Sequence, residues 1–262
     1  MSTIITVFGA TGSQGGGLAR AIVADPQRRF ALRAVTRKPD SPAARALAAA
    51  GAEIVVADLD DIHGVRRAMA GAHGAFCVTN FWEHFSPDRE LAQARTMAQA
   101  ARDAGVQHVV WSTLEDTREF VPLGTRMPVL LGRYSVPHYD AKGEANAAFF
   151  ERGVPTTLLH TSFYWDNLIH FGMQPRRDEH GRLGFVLPMG DAKLPGIAAA
   201  DIGPCALGIF ARAAEMIGKS VGIAGEHLSG AQMAEQLSLA LGEPVRHLDL
   251  SPREYAALGF PG

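Results

Sequence analysis

Three groups of residues in this 262-residue chain have types and spacings that could do chemistry. The first is Gly9-Ala10-Thr11-Gly12-Ser13-Gln14-Gly15-Gly16-Gly17, a G-x-x-G-x-x-G run. It follows the β-branched stretch Thr3 to Phe8 and leads into an apolar helical stretch, Leu18 to Ala24. Strand, glycine turn and helix, in that order, hold the pyrophosphate of a dinucleotide. Gly9 would let the chain turn sharply off the strand, Gly12 would let the backbone approach the phosphates, and Gly15 would let the helix pack on the strand. The unpaired N–H groups and positive end of the helix would face the anion. The second group is Arg37-Lys38, at the end of the second strand-like run. A site for NAD places Asp or Glu there, about 20 residues past the glycines, to bind the ribose 2′-hydroxyl. This chain has two cations instead. A carboxylate would repel a 2′-phosphate, whereas an arginine grips one with a fork of donors. The expected cofactor is NADP(H), with NAD(H) weaker.

The third group is Lys142 with its neighbours. A Tyr-x-x-x-Lys pair on one helix face, with a serine at a nearby strand end, is a proton-transfer set for reducing carbonyls. Here Ser112 ends a strand-like run, but the residue four before Lys142 is His138. Tyr139 is three before it, and one helical residue turns a side chain by about 100°. Tyr139 is expected to point elsewhere or to lie ahead of a helix that Asp140 caps. Lys142 is then a cofactor-ribose ligand, an acid/base group or a solvated helix lysine. His138 is either a stand-in acid, since imidazole titrates near neutrality, or an exposed loop residue. Ser112 either serves the site or bonds local backbone.

The elements that must position these groups follow from the apolar pattern. Strand-like runs recur at Ala31–Val35, Glu53–Ala57, Gly74–Val78, His108–Ser112 and Thr156–His160, with helical patterns at Ala43–Ala50, Ile62–Met69, Arg89–Ala104 and Asp140–Arg152. The runs are apolar throughout, as parallel strands covered on both faces are. Alternating units of this kind predict an α/β fold, a Rossmann-type doubly wound parallel sheet with a smaller α/β subdomain. The expected organisation is a dinucleotide-binding domain over 1–160 and a smaller subdomain over 161–262, interleaved with the end of the sheet. Glu115–Tyr139, with three prolines and two glycines, reads as a long irregular loop. After His160, Phe163, Tyr164, Trp165, Phe171 and Phe185 cluster, and helices are expected at Asp201–Glu215 and Ser229–Leu241. Ser251 and Glu254 form a capping-box pattern before the tail Gly259-Phe260-Pro261-Gly262.

Bulk composition excludes other classes. A hydrophobic content of 47% with 20% charged residues is that of an ordinary globular chain. A net charge of −2 gives no electrostatic reason to expect direct nucleic-acid binding. No apolar run approaches the roughly 20 residues that a membrane span needs, and a first strand that begins at once leads us to expect no signal peptide. A cytoplasmic location is expected. Cys77 and Cys205 match no metal or redox spacing, and Cys77 reads as a buried filler. Ten histidines without ligand spacing predict no metal.

The glycine segment, Val35-Thr36-Arg37, Val78-Thr79-Asn80-Phe81-Trp82-Glu83 and Val109-Val110-Trp111-Ser112-Thr113-Leu114-Glu115 together resemble the NmrA-like family, atypical members of the short-chain dehydrogenase superfamily. So do Tyr139-Asp140-Ala141-Lys142-Gly143-Glu144, Phe163-Tyr164-Trp165-Asp166-Asn167-Leu168 and Leu258-Gly259-Phe260-Pro261-Gly262. The likeness is strongest to its NADPH-sensing members, although Ser41 and Ala92 stand where those carry lysines. The resemblance implies that Gly9, Thr11, Gly12, Ser13, Gln14 and Gly15 hold the pyrophosphate and Arg37 the 2′-phosphate. It implies that Asp58 and Leu59 border the adenine, and that Thr79, Asn80 and Phe81 lie near the ribose and nicotinamide. Lys142 would bind the nicotinamide ribose, or act as acid/base as in isoflavone-reductase-like relatives, and Tyr164, Trp165, Asp166 and Asn167 would close over the cofactor. The leading expectation is a redox sensor or regulator that responds to NADP(H) occupancy. The alternative is an NADPH-dependent oxidoreductase of quinones, azo compounds or similar small apolar acceptors, and whether turnover occurs stays open. Expected partners are NADP(H), a small apolar substrate or a protein, a second copy of the chain included.

Overall fold

Short runs of β-branched and apolar residues become the strands expected of them. In the computed structural model, which describes residues 3–170 and 172–258, they are β1 (Ile4–Val7), β2 (Ala31–Thr36), β3 (Glu53–Val56), β4 (Gly74–Cys77), β5 (His108–Thr113) and β6 (Thr156–His160). With a further strand, Ser220–Gly222, they form one seven-stranded sheet ordered Ser220–Gly222, β6, β5, β4, β1, β2, β3. Every pairing in it is parallel. Parallel neighbours need crossovers, and helices supply them: α1 (Ser13–Ala24), α2 (Pro42–Ala49), α3 (Ile62–Met69), α4 (Pro87–Asp103), α5 (Pro137–Ala145) and α6 (Ala147–Phe150). The α/β class and the doubly wound sheet are as the alternation predicts. Strand order reverses between β4 and β1. The loops after those two strands therefore open the crevice in which such sheets bind ligands.

Three of the crossover helices start at side-chain caps that the sequence supplies. Ser41 accepts from the Ala44 N–H at the start of α2, Asp61 accepts from His63 and Gly64 at α3, and Ser86 accepts from Arg89 at α4, with Pro42 and Pro87 at the first helical positions. One face of the sheet packs on α3 and α4 through Val65, Met69, Ala94, Met97, Trp111 and Phe149. On α1, a Cβ at Gly203 of the helix Ala199–Ala211 would strike the Gly17 and Leu18 backbone. Gly203 thus lets that helix approach the backbone of α1 at Gly17 and Leu18.

The chain divides into two units: Met1–Thr161 with Ala200–Ile223, and Ser162–Ala199 with Ala224–Gly262. The seventh strand and the helix before it therefore return to the first unit. The second unit has two three-stranded sheets, ordered Glu226–Leu228, Leu194–Ile197, Phe163–Tyr164 and Val245–Leu248, Leu183–Val186, Arg176–Arg177. Its core gathers Leu183, Phe185, Leu187, Met233, Ala234 and Val245. The helix Gly230–Leu241 carries a full capping box, Ser229 with Gln232, and ends at Gly242 in the left-handed region.

Three local expectations need correction. The segment Glu115–Tyr139 is not irregular throughout: it holds a 3-10 turn, Thr117–Glu119, and α5 already begins at Pro137. The helix expected over Asp140–Arg152 is two helices, α5 and α6. Asp140 does not precede α5 but sits buried inside its first turns, where its carboxylate accepts from the N–H groups of Ser135 (2.7 Å), Val136 (3.0 Å) and Thr117 (2.9 Å). It caps the helix from within. Ser251 and Glu254 do form their capping box. Phe171, and the tail segment Gly259 to Gly262 that carries part of the family resemblance, lie outside the described residues.

Candidate cofactor site

The glycine loop is built as its spacing requires. Gly9 turns off β1 with φ +64°, where a side chain would be strained, and its carbonyl accepts from the Gly12 N–H at 2.8 Å. A Cβ at Gly15 would run into the carbonyl oxygens of Phe8 and Gly9, so only glycine lets α1 approach the strand end this closely. Gly12 is the N-cap of α1, and no side chain caps the helix there. A helix start uncapped by a side chain, at the rim of the crevice, is a cradle for an anion. Thr11, Gly12 and Ser13 are exposed on it. Gln14 accepts a hydrogen bond from the buried Ser112 hydroxyl at 2.7 Å, so the serine at the end of β5 braces the loop rather than the local backbone.

Arg37 follows β2 and is exposed, but it is not alone. Its two terminal nitrogens bond the two carboxylate oxygens of Glu83, which belongs to the 3-10 turn Phe81–Glu83 after β4. The pair holds the Glu83 carboxyl below the usual carboxylate range and the guanidinium above its own. Asp58, which follows β3, accepts from the Asp60 N–H, and Leu59 packs against the sheet core. Asp60 is bound by Arg89 and by Gln93, and Arg89 lowers its carboxyl.

Lys142 is largely buried and reaches into a network with Thr79 and Glu90. Its ammonium donates to Glu90 Oε1 (2.5 Å), to Thr79 Oγ1 (2.6 Å) and to the Thr79 carbonyl (3.2 Å), which uses all three of its protons. The Thr79 hydroxyl in turn donates to Glu90, and Glu90 is fully buried. The Trp111 ring centroid lies 5.5 Å from the ammonium. His84 accepts from the Ser86 N–H at Nδ1, which leaves its Nε2 facing Glu90 Oε2 at 3.7 Å. Burial lowers the His84 imidazole. The solvated-lysine reading of Lys142 is thereby overturned.

His138 lies one helical turn before Lys142 on α5. It is not an exposed loop residue: its ring packs 4.6 Å from Trp82 and 5.9 Å from Phe81. Burial, and then the Lys142 charge, push its pKa down to about 4. Tyr139 is inside α5, and burial followed by the Glu115 charge pushes its phenol up. Phe81 is buried beneath Trp82 and Phe85, while Asn80 is exposed and accepts the Glu83 N–H. Cys77 is buried, and its thiol is pushed up.

The remaining four expected residues belong to the second unit. Trp165 donates its backbone N–H to Ile197 (3.0 Å), and its ring covers Gly196, where any Cβ would clash. Asp166 accepts from the Ala199 N–H at 2.8 Å. Tyr164 ends a two-residue strand and Asn167 opens the short helix Asn167–His170. In the first unit the glycine loop, Arg37, Asp58, Thr79 and Asn80 follow the carboxyl ends of β1, β2, β3 and β4, and Lys142 reaches Thr79 from α5. The sequence reading missed Glu83, Glu90 and His84. Among the described residues, no group of three or more His, Cys, Asp or Glu is placed to hold a metal, and no helix is long and apolar enough to cross a membrane.

Comparison with known proteins gives the family and the fold. The model of the NmrA-like family matches residues 1–261. An NmrA-like family domain-containing oxidoreductase from Cladobotryum sp is 34% identical over 227 residues, which cover 80% of this chain and 65% of the relative. The chain thus spans a little under two thirds of that relative's length. Two solved structures share the fold. NmrA, a negative transcriptional regulator in complex with NADP, has a TM-score of 0.80 at 24% identity, covering 95% of this chain and 74% of that one. An NADPH-dependent quinone oxidoreductase from Escherichia coli, complexed with NADPH, has a TM-score of 0.76 at 25% identity, covering 98% and 83%.

Proposed function

We propose that this chain, which belongs to the NmrA-like family, binds NADP(H), and NAD(H) as well, and reduces small apolar acceptors such as quinones and azo compounds. The carrying observation is the α1 start: a turn that only glycines fit, opening on a helix N-terminus without a side-chain cap. Gly9, Thr11, Gly12, Ser13, Gln14 and Gly15 hold the pyrophosphate, Arg37 meets the 2′ position, and Asp58 and Leu59 border the adenine. Thr79, Asn80, Phe81 and Lys142 flank the nicotinamide end. When bound, the cofactor supplies a hydride. The relatives bear on both halves of the reading, since two of these structures hold NADP or NADPH and one is a quinone oxidoreductase.

The acceptor class follows from what the residues near Lys142 withhold. A carbonyl reductase needs a proton donor matched to neutral pH. His138 is a neutral imidazole down to about pH 4, the Tyr139 phenol is raised, and the Lys142 protons are all committed. Acceptors that take their proton from water have no use for such a group. In a screen of NADPH oxidation, quinones and azo dyes are consumed and aldehydes are not. Aldehyde turnover would overturn the acceptor class.

A regulatory reading has its own observation. Arg37 and Glu83 tie the end of β2 to the segment that exposes Trp82 and Phe85. Cofactor engaging Arg37 would release that segment. Hydrogen exchange over residues 80–86, with and without NADPH, tests it, and unchanged protection at saturation refutes it.

A further inference from the structure

We infer that Glu83 sets the cofactor preference of this chain, acting as a built-in carboxylate where a 2′-phosphate would be gripped, so that NADH and NADPH are both accepted. This rests on the proposed nucleotide site. Arg37 is the cation that the end of β2 offers to a phosphate, and a guanidinium grips a phosphate best through two parallel N–H bonds. In this chain both Nη1 and Nη2 are already bonded to Glu83. A 2′-phosphate taking that end must displace the carboxylate. One taking the Nε side instead sits beside a carboxylate, and the like charges repel. Glu83 opposes the phosphate either way, and an uncharged 2′-hydroxyl meets neither obstacle. It can instead donate to the carboxylate, as the acidic residue of an NAD site accepts.

Glu83 is held where it can do this. β1 lies between β2 and β4 in the sheet, with strands about 4.8 Å apart. The loops after β2 and β4 are thus about 10 Å apart, a gap that an arginine and a glutamate close together. The turn carrying Glu83 is anchored by buried Phe81 and by the bonds from Glu83 N to Asn80 O and from Phe85 N to Phe81 O. Both side chains stay open to solvent and ligand, at 50% exposure for Arg37 and 38% for Glu83. Two other carboxylates act on Arg37 through space, and each is otherwise engaged, Asp60 by Arg89 and Gln93 and Asp58 by the Asp60 N–H. Glu83 is therefore the acid that answers to Arg37.

The test is a set of calorimetric titrations of the full chain with NADPH, NADH, 2′,5′-ADP and 5′-AMP, the last two isolating the 2′-phosphate. Glu83→Gln keeps the shape and a hydrogen-bond acceptor but removes the charge. It should tighten NADPH and 2′,5′-ADP by about three- to fivefold, the size of an exposed ion pair, and should tighten neither NADH nor 5′-AMP. In an Arg37→Ala background, the gain for 2′,5′-ADP should fall by at least half, because the competition has lost its object. An unchanged NADPH to NADH ratio in Glu83→Gln, or weaker NADPH binding, overturns the role of Glu83 while leaving the nucleotide site intact. Failure of the unaltered chain to bind any of the four overturns both.

Discussion

Replacing Lys142 by methionine should cost about 3–5 kcal/mol of folding stability, because it strands a carboxylate with no access to water. Glu90 is fully buried, and the ammonium is the one cation that touches it among the described residues. Methionine fills the alkyl path of the lysine stem, so the lost volume is small and the loss is electrostatic. Denaturant titrations of both forms at pH 7 measure this directly. For a chain of this size, the melting temperature at pH 7 should fall by roughly 6–20 °C. Adding Glu90→Gln to Lys142→Met should return at least half of the loss. A variant within about 0.5 kcal/mol of the unaltered chain, the behaviour of a surface lysine, would refute the network. So would a deficit that Glu90→Gln does not relieve.

Two further expectations concern the scaffold. Gly15→Ala drives a Cβ into the carbonyl oxygens of Phe8 and Gly9. It should destabilise by about 1–3 kcal/mol and weaken NADPH binding at least tenfold in a fluorescence titration, whereas Gly208→Ala, with open space around its Cβ, should do neither. The chain should lose stability on acidification from about pH 6.5 to pH 4, because burial pushes the His108 and His138 imidazoles down to about 4. Across that window the unfolded chain binds protons that the folded chain refuses, at up to about 1.4 kcal/mol per pH unit for each imidazole. His138→Gln should lower the slope of unfolding free energy against pH, and an unchanged slope would remove His138 from the account.

The glycine loop was legible because its logic is local. Each glycine answers to a neighbour within a few residues: Gly15 to Phe8 and Gly9, and Gly12 to Gly9 through a hydrogen bond. The strands were legible because parallel strands buried on both faces must be apolar at every position. The start of α5 was misread because Pro137 looks like a breaker, while a proline at the first helical position is an initiator. His138 then joined the helix face of Lys142, and a residue read as a stand-in acid or an exposed loop histidine became a half-buried imidazole with a lowered pKa.

Glu83 and Glu90 were missed for a different reason, and the two cases differ in what could have been seen. Glu90 shares a helix face with Ala94, Met97 and Ala101, all fully buried on α4. A carboxylate in that register must find a cation or a proton, and that spacing alone signals a hidden partner. Glu83 carries no such mark. It is an exposed acid in a turn, 46 residues from Arg37, and only the insertion of β1 between β2 and β4 brings the two together. Arg37 read by itself specifies a phosphate; Arg37 facing a carboxylate specifies a contest between the two. On the proposed role of Glu83, cofactor preference is a property of the strand order, and it becomes visible only once the sheet is assembled.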